Sequence, residues 1–462
     1  MLFSTPIFLF YYLAVFFVFY FLVGKNYRNL LLTAFSLFFY AWGEPTFIGI
    51  VLLSSLLDYF LGKGIEKRVD QSGLRRTLVL VGVLNNIGIL FYFKYAGFFL
   101  ASLHLGSLAA IALPIGISFI TFEKITYLVD LYRGTGKAAP TFLRYLLYVF
   151  FFPKLLAGPI VKYHDIEPQL ESHTITQSDL VAGVTRFCIG LAKKVLIADT
   201  LGVIVDAIFH INPPEVSAPF AWQGTVFFTL QIFFDFSGYS DMAIGMARML
   251  GFRLQENFNS PYISANITEF WRRWHISLSS WIREYLYIPL GGNRGSVART
   301  YFNLWLCFLA SGLWHGARWT FVLWGIYHGL GLVIDRLFWL RVSERLPRWL
   351  TVPLCFSAVM LGWILFRAEH FSQALQLVAA LGRPQSYPGP FVFVPPGAYL
   401  AAGVGLLLSF APLAPTYRKA GEWLETQPWG QTLRLGFALL VFVLALGKVA
   451  NTTFAPFLYF RF

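Results

Sequence analysis

Three histidines stand in unusually apolar surroundings. His275 closes Trp-Arg-Arg-Trp-His (271–275), His315 lies in Gly-Leu-Trp-His-Gly-Ala (312–317), and His328 in Trp-Gly-Ile-Tyr-His-Gly (324–329). Imidazole is the side chain whose ordinary pKa allows proton transfer near neutrality. An ionisable group within an apolar segment is a functional candidate by default. Gly316 and Gly329 follow two of these histidines, leaving room for a ligand or another backbone to come close. The competing reading is a histidine satisfied by packing. On one continuous helix, His315 and His328 would point roughly 220° apart and sit about 20 Å from each other along the axis. They could not then share a metal, so the chemistry falls to one of them.

Other chemistries lack their residues. The nearest carboxylate after His328 is Asp335, seven residues on; at about 10 Å along the same helical face it is beyond a direct hydrogen bond. There is no Gly-x-Ser-x-Gly elbow, and Gly134-Thr-Gly-Lys137 lacks the first glycine of a phosphate-binding loop, which excludes serine hydrolysis and P-loop chemistry. Cys188, Cys307 and Cys355 lie in separate apolar stretches without Cys-x-x-Cys spacing. Neither a disulfide framework nor a metal site is expected.

The elements that must position these histidines follow from composition. Of 462 residues, 57% are hydrophobic, 19% aromatic and only 13% charged, against about 25% charged in a soluble domain. The chain is predicted to be an all-α, polytopic membrane protein. Its net charge of +13 is assigned to basic residues flanking spans, not to nucleic acid binding. A crossing needs about 20 apolar residues, with a lower limit of about 17. Candidate runs are 7–23, 29–43, 46–62, 77–93, 97–122, 141–158, 180–208, 217–250, 301–316, 318–335, 350–366, 393–413 and 434–450. About 10 to 12 transmembrane helices plus re-entrant and interfacial pieces are expected. Lys25 and Arg28, then Glu44, then Lys63, Lys67, Arg68, Arg75 and Arg76 occupy the first three loops. That alternation puts the first and third loops in the cytoplasm and the N-terminus outside. Pro114–Ser118 and Phe152–Pro159 interrupt apolar runs, as backbone lining a cavity or a kink would. No polar interval is long enough for a soluble domain, so residues 1–462 read as one membrane domain.

The informative polar interval is 255–300. Trp271, Trp274, Leu278, Trp281, Ile282 and Tyr285 fall within an arc of about 100° on a helical projection. Arg272, Arg273, Ser279, Arg283 and Glu284 lie outside it, and His275 at its edge. This predicts an amphipathic helix at a membrane interface. The following Pro289–Gly295 tail, with Asn293 and Arg294, is expected to offer backbone N–H groups and a guanidinium to a phosphate-bearing ligand.

Residues Phe233–Phe252, Glu256–Gly295 and Ser311–Gly329, joined by Leu113–Gly134 and Phe151–Ile160, resemble the membrane-bound O-acyltransferase family. The likeness is greatest to its branch acting on alginate and other exported polysaccharides. The matching blocks run from about 110 to 335, with 1–109 and 336–462 as outer helices matched only in hydrophobicity. The resemblance implies a helical core around a central cavity, a cytoplasmic thioester donor (acetyl-CoA or an acyl carrier) with no bound cofactor, and an acceptor on the far side. It implies a bacterial inner-membrane protein working with a periplasmic esterase-like partner on an exopolysaccharide. The family's histidine corresponds to His328 and its second polar position to His275, as catalytic residues. His315, Trp274, Arg272, Arg294, Asn293 and Asp241 fall at supporting or donor-side positions. Glu123-Lys124 departs from relatives that carry uncharged residues there. In a dry site His328 is expected to stay neutral and serve as the base, with His275 orienting the thioester or stabilising the oxyanion. Lipid, teichoic-acid or protein acylation is the alternative within the family, and a non-enzymatic transporter the alternative outside it.

Overall fold

A computed structural model describes residues 1–106, 113–383, 390–451 and 458. Among these the regular structure is helical, with no strand. Six helices among the described residues are both long and apolar enough to cross a bilayer: Ile48–Lys67, Ser72–Ser102, Trp319–Arg345, Arg348–Arg367, Pro396–Leu413 and Gly430–Asn451. Their outer faces stay apolar, as at Leu53 (70% exposed), Leu407 (67%) and Val443 (64%). Side chains of this kind match lipid and not water. The chain is a multi-pass membrane protein.

Four of the remaining expected runs fall short of those criteria for identifiable physical reasons. The first, Ile7–Leu22, is apolar but short. The 97–122 run is not one helix: Ser72–Ser102 ends inside it and Ile117–Arg133 begins after Gly116, whose φ is +76°; 107–112 lie outside the described residues. The 141–158 run breaks between Phe142–Phe150 and Phe152–Leu155, where Pro153 removes a backbone donor. The 180–208 run is continuously helical from Gln177 to Phe209 but carries Lys193, Lys194, Asp199 and Asp206.

The described chain forms two compact units, Met1–Phe187 with Ser240–Gln255, and Cys188–Tyr239 with Glu256–Phe462. In the first, the adjacent charges Glu123 and Lys124 are both buried and matched. Glu123 pairs with Lys154, and Lys124 lies 3.1 Å from Asp58, which also accepts from Asn86 at 2.9 Å. Such pairs hold only while both partners remain, since a lone buried charge costs about 3 to 5 kcal/mol. Asp241 belongs to this unit, where its carboxylate takes Arg186 Nε–H at 3.0 Å.

The second unit contains all three histidines. Its scaffold is a helical hairpin, Val297–His315 followed by Trp319–Arg345. The helix stops at Gly316, whose backbone is extended (φ −168°). The two arms then pack backbone to backbone. A Cβ on Gly312 would lie 2.3 Å from the Phe321 carbonyl oxygen, and one on Gly325 would lie 2.4 Å from that of Phe308. Small residues let membrane helices approach this closely, where dispersion rather than the hydrophobic effect holds them. Arg348–Arg367 packs next to this hairpin, tied by the Tyr327 hydroxyl donating to the Ala358 carbonyl at 2.8 Å.

Candidate active site

The predicted amphipathic helix over 271–285 is not continuous. Asn266 caps a first helix, Ile267–Arg273, by accepting the Glu269 N–H at 2.7 Å, while the Glu269 carboxylate accepts the Ala265 N–H at 2.8 Å. This reciprocal arrangement satisfies donors at the helix start. The helix ends at Trp274, which is extended (φ −102°, ψ 131°); His275 is left-handed (φ 44°), and a second helix runs Ile276–Ile282. A left-handed non-glycine residue costs about 1 to 2 kcal/mol. Residues 257–259 offset it. Asn259 N–H donates to Arg273 O at 2.9 Å and Ile276 N–H to Asn257 O at 3.0 Å. The Asn257 side-chain oxygen accepts from Ser277 N–H at 3.2 Å and Ser277 hydroxyl at 2.9 Å, and lies 3.1 Å from His275 Nδ1.

The break also changes what the aromatic face meets. Trp271, Trp274, Leu278 and Trp281 are all buried within the protein rather than laid on a membrane surface. Trp274 stacks among Phe258, Phe270 and Trp363 at centroid distances of 5.1, 5.5 and 4.8 Å. Arg272 and Arg283 remain exposed. His275 turns inward with no exposed surface, its ring edge-on to Phe236 at 4.6 Å, and its Nε2 has no hydrogen-bond partner among the described residues.

His328 lies midway along Trp319–Arg345, fully buried. Its Nδ1 receives the Trp271 indole N–H at 3.3 Å. The rings of Trp271, Trp324 and Tyr327 enclose it at 5.1, 5.0 and 5.3 Å. Among the described residues its Nε2 has no hydrogen-bond partner, and it stands beside Gly362. The residue forms part of the wall of a cavity of about 410 Å³, whose other walls include Ile267, Tyr327, Ile334, Leu354 and Ala358. Asp335 lines the same cavity but is engaged elsewhere, accepting Thr268 N–H at 2.6 Å and its hydroxyl at 2.8 Å.

Because the helix folds back at Gly316, His315 and His328 are not spaced along one axis as a continuous helix would place them. Trp324 touches both rings, at 5.1 Å and 5.0 Å. The tail after Pro289 departs from its expectation as well. Gly291, Gly292 and Arg294 N–H groups donate to Ile288, Tyr287 and Gly291 carbonyls, so these amides are consumed by the turn. Asn303 secures the turn by donating to Leu290 O and Gly292 O. The side chains of Asn293 and Arg294 stay exposed.

Thus the second unit gathers His275, His315, His328 and Trp274 around one aromatic core and leaves Arg272, Asn293 and Arg294 on its surface. Sequence reasoning placed Trp271 only as an apolar arc residue and missed Asn257, Gly362 and Tyr327. No local signal marks Asn257, since its partners lie 18 and 20 residues away.

A sequence model of the membrane-bound O-acyltransferase family matches residues 135–368. The chain belongs to this family and is a membrane O-acyltransferase. It is 40% identical to a probable alginate O-acetylase of Pseudomonas putida, over the full length of both chains. It is 36% identical to the peptidoglycan O-acetyltransferase of Helicobacter pylori, covering 82% of this chain and 80% of that one. It is also 29% identical to the teichoic acid D-alanyltransferase of Bacillus subtilis, over 56% of this chain and 69% of the relative.

Proposed function

We propose that this enzyme moves an acetyl group from a cytoplasmic thioester towards hydroxyls of an exported, alginate-like polysaccharide, with a periplasmic esterase-like partner carrying out the final transfer. The observation that carries this reading is the buried His328 imidazole, with an unpartnered nitrogen, in the wall of an apolar cavity. Acyl transfer to oxygen needs the carbonyl polarised, the hydroxyl proton removed and water kept out. The rings of Trp271, Trp324 and Tyr327 packed around His328 and the largely aliphatic cavity walls serve the last of these. Relatives named for alginate and peptidoglycan acetylation support an acetyl group and a saccharide acceptor. His275 is the second polar group of the site.

The donor is acetyl-CoA or an acyl carrier. Exposed Arg272, Arg294 and Arg299 suit the phosphates of one or the acidic surface of the other. The protein is placed in the bacterial inner membrane with its N-terminus in the periplasm, which an accessibility tag before Ile7 tests. Inverted vesicles given labelled acetyl thioester outside and polymer inside should acquire label on the polymer only when the partner is present. Label without the partner would establish direct transfer; no thioester consumption would refute the reading. Competition by CoA against carrier protein at raised salt separates the donors.

A further inference from the structure

The two ring nitrogens of His328 are in different chemical situations. Nδ1 faces the Trp271 indole N–H at 3.3 Å, and an indole nitrogen only donates. Nδ1 therefore keeps its lone pair, and the ring carries its single proton on Nε2. That nitrogen has no hydrogen-bond partner among the described residues, and the neighbouring chain position is Gly362, where a Cβ would lie 2.8 Å from it. His275 is held the other way. Its Nδ1 lies 3.1 Å from the Asn257 side-chain atom that accepts the Ser277 backbone N–H. Only an oxygen can accept that amide, so the His275 proton is on Nδ1. Around His275 the polar contacts are Asn257 and Ser277 and the ring contacts Phe236 and Trp314; a cation there would be costly.

We propose that Trp271 is a positioning residue that holds His328 as its Nε2–H tautomer, so that His328 meets the substrate as a hydrogen-bond donor to the acyl carbonyl oxygen and does not itself remove the hydroxyl proton. The inference rests on reading His328 as the group at the reacting centre. In the transfer, the acceptor oxygen bonds to the acyl carbon and the carbon–sulfur bond breaks with its electron pair on sulfur. The hydroxyl proton ends on that sulfur, which leaves as a thiol. His328 keeps its own proton throughout, and its bond to the carbonyl oxygen strengthens as negative charge gathers there. The dry, aromatic surroundings raise the value of such a bond.

Nitrogen-15 spectra of histidine-labelled protein in bilayers test this, with resonances assigned through His328→Gln and His275→Gln. His328 is expected to show a protonated Nε2 and bare Nδ1, and His275 the reverse. Replacing Trp271 with β-(3-benzothienyl)alanine keeps the ring outline and substitutes sulfur for the N–H; Trp271→Phe serves as a second variant. Either should convert His328 to a mixture of tautomers. The kcat for acetyl transfer should fall at least about tenfold, the worth of one hydrogen bond, while KM for the thioester changes less than about twofold. A protonated Nδ1 on His328 in the unaltered enzyme, or an undiminished kcat with the benzothienyl side chain, would overturn the proposal. Full transfer by His328→Gln would instead remove His328 from the reacting centre, and the positioning role with it, whatever the spectra show.

Discussion

Gly362→Ala is the smallest change that addresses the reacting atom directly. The added Cβ would stand 2.8 Å from His328 Nε2, 3.2 Å from Tyr327 Cε1 and 3.3 Å from His328 Cε1. Ordinary contact begins at 3.4 Å, so the ring must retreat by about 0.6 Å or the helices must part. Retreat is obstructed, because Trp271 holds the other side of the ring at 3.3 Å and Trp324 and Tyr327 flank it. Overpacking of this size costs about 1 to 3 kcal/mol, which a multi-pass protein withstands. Misplacing a catalytic group by about 1 Å costs on the order of 10²-fold in rate, and a methyl against Nε2 also crowds the nitrogen that lacks a partner among the described residues. The expected result is a protein that inserts and accumulates normally but transfers acetyl roughly 10² times more slowly. Gly403→Ala, at a helical position with nothing within 4 Å, is the control and should be silent. Transfer by Gly362→Ala at more than half the unaltered rate would refute the placement of the reacting nitrogen at this face.

Four further outcomes are expected. His328→Ala should abolish acetyl transfer while membrane levels of the protein stay unchanged, measured by blotting and vesicle assay together. His275→Asn should retain the fold, since asparagine tolerates the left-handed backbone; if it keeps full activity, protonation at this position is unnecessary, and a fully active His275→Ala would reduce the residue to packing. Lys124→Met should destabilise the first unit by about 3 to 5 kcal/mol in thermal unfolding by stranding Asp58, and Lys124→Met with Asp58→Leu should recover most of it. Asp179 is held below the usual carboxylate range by the Thr176 hydroxyl, with Arg248 and Arg253 contributing. Its stabilisation is present above the ordinary aspartate value of about 3.9 and lost as pH falls through the lower folded value. Asp179→Asn should therefore flatten the loss of thermal stability below about pH 4.

How legible the site was depended on whether its determinants were local. The helical class and membrane setting followed from composition, and the span boundaries near Trp319 and Arg348 followed from apolar runs ended by charge. Gly316 and the glycines at 312 and 325 were visible, but that they form one fold-back surface is a matter of two arms meeting. The break at Trp274-His275 left no trace in a stretch without Gly or Pro. It is imposed from Asn257 and Asn259, whose hydrogen bonds span 14 to 20 positions. Periodicity chose Trp271, Trp274, Leu278 and Trp281 as buried, which they are, but also Ile282 and Tyr285, which are half-buried, and it wrongly joined the halves. In the glycine-rich tail, the amides of Gly291, Gly292 and Arg294 looked free until the turn's own carbonyls were in place.

The same tryptophans serve stability and chemistry, and the two demands conflict. A core of Trp271, Trp274, Trp324 and Trp363 excludes water, which a thioester site requires if the donor is not to be hydrolysed. Yet it leaves Nε2 of both His275 and His328 buried without a partner, a state that costs about 1 to 3 kcal/mol for each unsatisfied group. A purely structural core would fill those positions with leucine or phenylalanine and be more stable. A substrate that completes the hydrogen bonds of these nitrogens would recover that cost. By that argument a bound acyl donor should raise the melting temperature, and His328→Leu should raise it without donor and abolish the increment with donor. A His328→Leu protein that still gained stability from the thioester would place donor binding away from this cavity.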